Sequence, residues 1–147
     1  MAAATPTAGE PTVRVRFAVR VLYEEYVTPL DPAQLFADAW RGAADALQQA
    51  GVQNVPPPAF PHGFDAAAAL HMQTFPELER LAKGRLSDRQ LTDAALHELA
   101  VRRNDCHTQY LPPDLAPRAA ANLRGQAQQL VGVQFSSEAP LRIVAVT

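Results

Sequence analysis

The chain has 147 residues, 48% hydrophobic and 19% charged, which suits one globular domain with a proper core and argues against a disordered chain. With 13 basic against 15 acidic residues it offers no basic face for nucleic acid, and Arg14, Arg16 and Arg20 alone read as a solvated surface. Its single cysteine, Cys106, excludes an internal disulfide, and no apolar run approaches the length that spans a bilayer.

Residues 1–12 lack the basic head and apolar middle of a signal peptide and read as a flexible leader or a remnant of trimming. Over 13–27 two periods compete. Val13, Val15, Phe17, Val19 and Val21 alternate with Arg14, Arg16, Ala18 and Arg20 as in a half-buried strand, whereas Phe17, Val21, Leu22 and Tyr26 share a helical stripe. Glu24-Glu25 favour helix, starting near residue 14. The next element is clearer: Asp31 can cap free amides, Pro32 suits the first helical position, and Phe36, Trp40, Ala43 and Leu47 follow at helical spacing until Gly51. Residues 52–63 carry Pro56-Pro57-Pro58 and Pro61 and predict an extended connector, either a surface loop or a small hinge between two helical layers.

Asp65 opens another helical stretch through Leu70 and Phe75. Pro76 should break or restart it, with Leu78 and Leu81 continuing the apolar side. Ser87-Asp88-Arg89-Gln90 is a capping-box pattern, followed by Leu91, Ala95 and Leu99 on one helical face ending near Arg102. Residues 114–124 predict a shorter helix stopped by Gly125. Two β-rich runs, Leu130-Val131-Gly132-Val133-Gln134-Phe135 and Leu141-Arg142-Ile143-Val144-Ala145-Val146, flank a five-residue loop and predict a hairpin. The expected fold is mainly α, bundle-like, with four to six helices over 13–126 and a C-terminal β-hairpin over 127–147.

The run Asp105-Cys106-His107-Thr108-Gln109-Tyr110-Leu111-Pro112-Pro113-Asp114 resembles the Asp-x-His/Tyr-Ser/Thr-x-Tyr-Leu motif of carboxy-terminal processing (tail-specific) serine peptidases, where proline and an acidic residue follow. Tyr26-Val27-Thr28-Pro29-Leu30-Asp31 resembles the family's Tyr-Val-Asp-Pro-Val-Asp turn, and Ala39-Trp40-Arg41-Gly42 its Ala-x-x-Gly. Gly125 and Val131-Gly132-Val133 resemble the entry into its PDZ module, so the likeness spans roughly residues 20–147. Cys106 departs from the pattern, as does the missing Gly-Ile-Gly start. The resemblance implies a non-catalytic N-terminal helical region of an exported peptidase, joined to PDZ and protease modules. It also weighs for helix over 13–27. The family's serine and lysine lie downstream of this region, and the only lysine here is Lys83, placed on a polar helix end.

Sharper chemistry has little support. Cys106 beside His107 and Asp105 suggests a thiol nucleophile, but adjacent side chains rarely align for that task. His62, His71, His97, His107 and Cys106 share no zinc-ligand spacing, and Glu24-Glu25 or Glu77 with Glu79 fit solvated faces better than an acid–base pair. No catalytic, metal or cofactor residue is assigned. Asp105, His107, Thr108, Tyr110, Leu111 and Pro112 are expected to form a structural junction in which Tyr110 and Leu111 are buried anchors. Phe36, Trp40 and the Val13–Val21 face are expected to supply an interface for a homodimer.

Overall fold

The computed structural model describes residues 9–123, 133–135 and 143–146, and is mainly helical. The chain divides into two compact units, residues 1–110 and 111–147. The first holds α1 (Glu10–Glu25), α2 (Pro32–Gln49), α3 (Phe64–Ala82) and α4 (Asp88–Val101).

Helix α1 settles the competition between periods. A strand would place all its odd-numbered apolar residues on one face. A turn of about 100° per residue instead splits them. Val15 and Val19 are fully buried, while Val13, Phe17 and Val21 are exposed at 52%, 68% and 42%. Phe17 and Val21, on the helical stripe noted in the sequence, therefore face outward. The expected leader is also corrected at its end: Gly9 caps α1, Pro11 lies in its first turn, and Pro11 and Thr12 are buried. Glu79 of α3 accepts the amides of Gly9 at 2.9 Å and Thr12 at 2.8 Å, and the Thr12 hydroxyl at 2.5 Å. These bonds satisfy donors at the start of α1 that have no acceptor within the helix.

Helix α2 is the centre of the core. Asp31 accepts the Ala33 amide at 3.0 Å and Pro32 begins the helix, as its residues predict. At the other end Gly51 adopts φ 86°, with Val52 N–H donating to Leu47 and Gly51 N–H to Gln48, which closes the last carbonyls in a Schellman turn. Leu35, Phe36, Ala39, Ala43 and Leu47 are fully buried, and Trp40 is 3% exposed. This overturns the reading of Phe36 and Trp40 as an interface. Phe36 meets the rings of Phe60, Phe64 and His71, and Trp40 meets Phe75 edge-on, so both are already covered within the unit.

The proline-rich connector is a strap across these residues. Trp40 Nε1 donates to the Val55 carbonyl at 2.8 Å, and Phe60 is buried against the core. Helix α3 runs unbroken through Pro76, contrary to the expected break, because Phe75, Pro76 and Leu78 are all buried and packing holds both sides of the missing N–H. It begins at Phe64 after Gly63, one residue ahead of Asp65. The capping box at Ser87 forms as expected: Ser87 accepts the Gln90 amide at 3.2 Å while Gln90 accepts the Ser87 amide at 2.9 Å. Where α2 crosses α4, Gly42 leaves no room for a side chain. A Cβ there would lie 2.4 Å from the Ala94 carbonyl oxygen and 2.6 Å from Glu98 Cβ.

The second unit contains α5 (Ala116–Leu123), shorter than the predicted 114–124, and two antiparallel strands, β1 (Val133–Phe135) and β2 (Ile143–Val146). Val133 pairs with Val146 and Gln134 with Ala145, and the register shifts before Phe135 pairs with Ile143. The predicted hairpin loop, the Gly125 stop and the residues just outside each strand lie beyond the described residues.

Candidate functional site

The junction begins at the C-terminal end of α4. Arg103 donates from Nε to the Leu99 carbonyl at 3.2 Å, and its Nη2 pairs with Asp38 Oδ2 of α2. Asp38 is 1% exposed and the Arg103 side chain 7%, so this is a buried ion pair. Gln34 at 2.6 Å and Arg41 at 2.8 Å complete the set of donors to Asp38. A carboxylate out of water needs such partners. The next residue, Asn104, takes φ 52°, a left-handed conformation that asparagine tolerates better than most side chains and that turns the chain off the helix.

Asp105 then holds the corner. Its Oδ1 accepts the amides of His107 at 2.7 Å and Thr108 at 2.6 Å, and its Oδ2 accepts the Thr108 hydroxyl at 2.8 Å and the hydroxyl of Tyr26. Donation from Tyr26, then Thr108, then the His107 amide favours the ionised carboxyl and holds it well below the usual carboxylate range. The same bond pushes the Tyr26 phenol up. Tyr110 is half-buried, and its hydroxyl donates to Asp93 Oδ1 at 2.6 Å. Desolvation first, and Asp93 second, raise its pKa to about 12.

Of the expected junction residues, Asp105, His107, Thr108 and Tyr110 come together here. Leu111 is 45% exposed and is not the buried anchor expected of it, since the first unit ends at Tyr110. Pro112, half-buried, accepts through its carbonyl the amides of Leu115 at 2.9 Å and Ala116 at 3.1 Å, and so starts α5. The adjacent pair does meet, contrary to expectation: Cys106 Sγ lies 3.3 Å from His107 Nε2. Both residues are exposed, and the Asp105 oxygens are engaged by the four donors named above rather than by the His107 ring. Lys83 is exposed at the end of α3. Among the described residues no group of three His, Cys, Asp or Glu side chains is arranged to hold a metal, and no helix is long and apolar enough to cross a membrane.

Beside the corner an apolar groove of about 290 Å³ runs between α1 and α4, lined by Phe17, Val21, Leu22, Leu96, Ala100 and Tyr110 among others. No model of a known protein family, no curated protein and no solved structure matches this chain. Sequence reading missed the bonds that join distant segments: Tyr26 to Asp105, Asp38 to Arg103, and Glu79 to the start of α1. One signal was present. Asp38 sits among Leu35, Phe36, Ala39 and Trp40, and a carboxylate within an apolar helical stripe calls for a buried cation. Nothing local singles out Arg103 as that cation.

Proposed function

We propose that this chain is the non-catalytic N-terminal helical region of a carboxy-terminal processing serine peptidase, and that its 105–110 corner is the structural closure of the helical unit. The observation that carries the reading is the bond from Tyr26 to Asp105. Each belongs to a different segment with the family's pattern, the Tyr26–Asp31 turn and the ten-residue motif, and the two residues are 79 positions apart. Gly42, in the third matching segment, has a physical reason of its own in the close crossing of α2 and α4. The corner thus ties the end of α1 to α4, through Tyr26–Asp105 and Tyr110–Asp93. The helical unit serves assembly or the placement of PDZ and protease modules, and substrate cleavage belongs to those modules.

The natural gene provides the direct test. Its reading frame should continue past Thr147 into a PDZ-like segment and then a region with a catalytic serine and lysine. A stop codon at that point would sink the peptidase reading and leave a stand-alone helical binding domain. Self-association is a second proposal, now resting on α1 alone, because Val13, Phe17 and Val21 form an apolar stripe that faces outward from the helical unit.

A further inference from the structure

His71 is a buried titratable side chain that neither the fold's ion pairs nor the proposed function employs. It has no solvent exposure, and its Nε2 lies 2.9 Å from the carbonyl oxygen of Thr12 in the first turn of α1. A carbonyl can only accept, so Nε2 carries the proton and Nδ1 is a bare acceptor. Nδ1 is buried without a hydrogen-bond partner, and the ring packs 5.0 Å from Phe36 and 4.7 Å from Phe75. A second proton would have to sit at Nδ1, as a donor with no acceptor in an aromatic pocket. The same turn of α1 depends on α3 for its other bonds, through Glu79 to Gly9 and Thr12.

We propose that His71 is an acid-operated latch for the N-terminal turn of α1. In the neutral form it joins that turn to α3. Protonation at Nδ1 gives an imidazolium that requires water, and water reaches it when the first turns of α1 separate from α3. The Nε2–Thr12 bond is lost in that step, while α2 and α4 keep their own core contacts and the Asp38–Arg103 pair. The charged surroundings do not rescue the buried cation. Arg16 on α1 opposes it, and Glu79 on α3 is engaged by Gly9 and Thr12. From α2 the ring meets Phe36, and the buried carboxylate of that helix, Asp38, is bonded to Arg41 and Arg103. On α4, Asp93 bonds Tyr110 and Glu98 bonds Arg102.

Burial, with a smaller contribution from Arg16, lowers the His71 pKa from 6.5 to about 4. The open form binds the proton more tightly than the closed one, so the latch holds fully above pH 6.5 and weakens as pH falls toward 4. The opening equilibrium should grow by up to about tenfold per pH unit, and by about 100-fold between pH 7 and pH 4.

Amide hydrogen exchange of the whole chain, corrected for intrinsic rates between pH 7 and pH 4, tests this. Amides of residues 14–18 should lose protection by about 100-fold while those of Leu91, Ala95 and Leu99 do not follow. In His71→Gln, which cannot titrate, the α1 response should flatten to less than about tenfold. Parallel loss of protection in α1 and α4 would overturn the proposal, as would an unchanged pH response in His71→Gln. The imidazole NMR titration of the unsubstituted chain reads the same latch independently of any variant's folding, and a ring that titrates near 6.5 in the folded state would also refute it.

Discussion

Tyr110 illustrates how a single side chain couples the corner to the helices. Its hydroxyl bonds Asp93 and it lines the groove between α1 and α4. Because the folded pKa of about 12 lies above the ordinary 10, this contribution is complete below pH 10 and lost as pH rises toward 12. A tyrosinate absorbance titration should contain a component near 12 that disappears in Tyr110→Phe. Tyr110→Ala should cost roughly 1–3 kcal/mol through lost packing and the lost hydrogen bond to Asp93, whereas Leu111→Ala and Cys106→Ser, both at exposed positions, should melt close to the parent. Arg103 has a larger effect expected of it. Removing it strands Asp38 in the core without its cross-helix cation, so Arg103→Ala should cost about 3–5 kcal/mol in a denaturant titration. A loss below ~1 kcal/mol would show that Gln34 and Arg41 suffice.

Helices are fixed here by features at their ends and crossings as much as by their periodicity. Gly42→Ala would gain about 1 kcal/mol of helix propensity. It would also drive a methyl group into the Ala94 carbonyl, and backbone yields less readily than a side chain. Overpacking of this kind costs about 1–3 kcal/mol, so a net loss is expected and a rise in melting temperature would contradict the close crossing. For α1 the corresponding device is Glu79. Glu79→Ala leaves the amides of Gly9 and Thr12 without their acceptor and should cost about 1–2 kcal/mol, with the lost protection concentrated in α1.

At the scale of the whole molecule, the outward stripe of α1 and the proposed non-catalytic role lead to two expectations. The chain should self-associate through Val13, Phe17 and Val21, with light scattering showing mass that rises with concentration and falls back to the monomer in Phe17→Glu. A strict monomer at high concentration would defeat this. Incubation with unstructured polypeptides or peptides with apolar C-termini should yield no cleavage, and activity abolished by a substitution within this chain would reverse the assignment of catalysis to other modules.

Sequence alone determined what local chemistry can specify. The Asp31-Pro32 start and Gly51 end of α2, the Ser87–Gln90 box of α4, and the turn-forming role of Asp105 were legible because each depends on residues within a few positions of one another. The mainly helical character followed from the same signals. Tertiary structure alone decided which apolar stripe of α1 is buried: Val15 and Val19 pack into the core while Phe17 and Val21 stay exposed, and the Glu79 and His71 bonds to Thr12 hold the start of the helix against α3. It also kept α3 continuous through Pro76, buried Phe36 and Trp40 beneath the proline-rich strap, and brought Arg103 to Asp38 and Tyr26 to Asp105. Those outcomes depend on partners tens of residues away, and periodicity carries no information about which distant group will satisfy a buried charge or close a helix end.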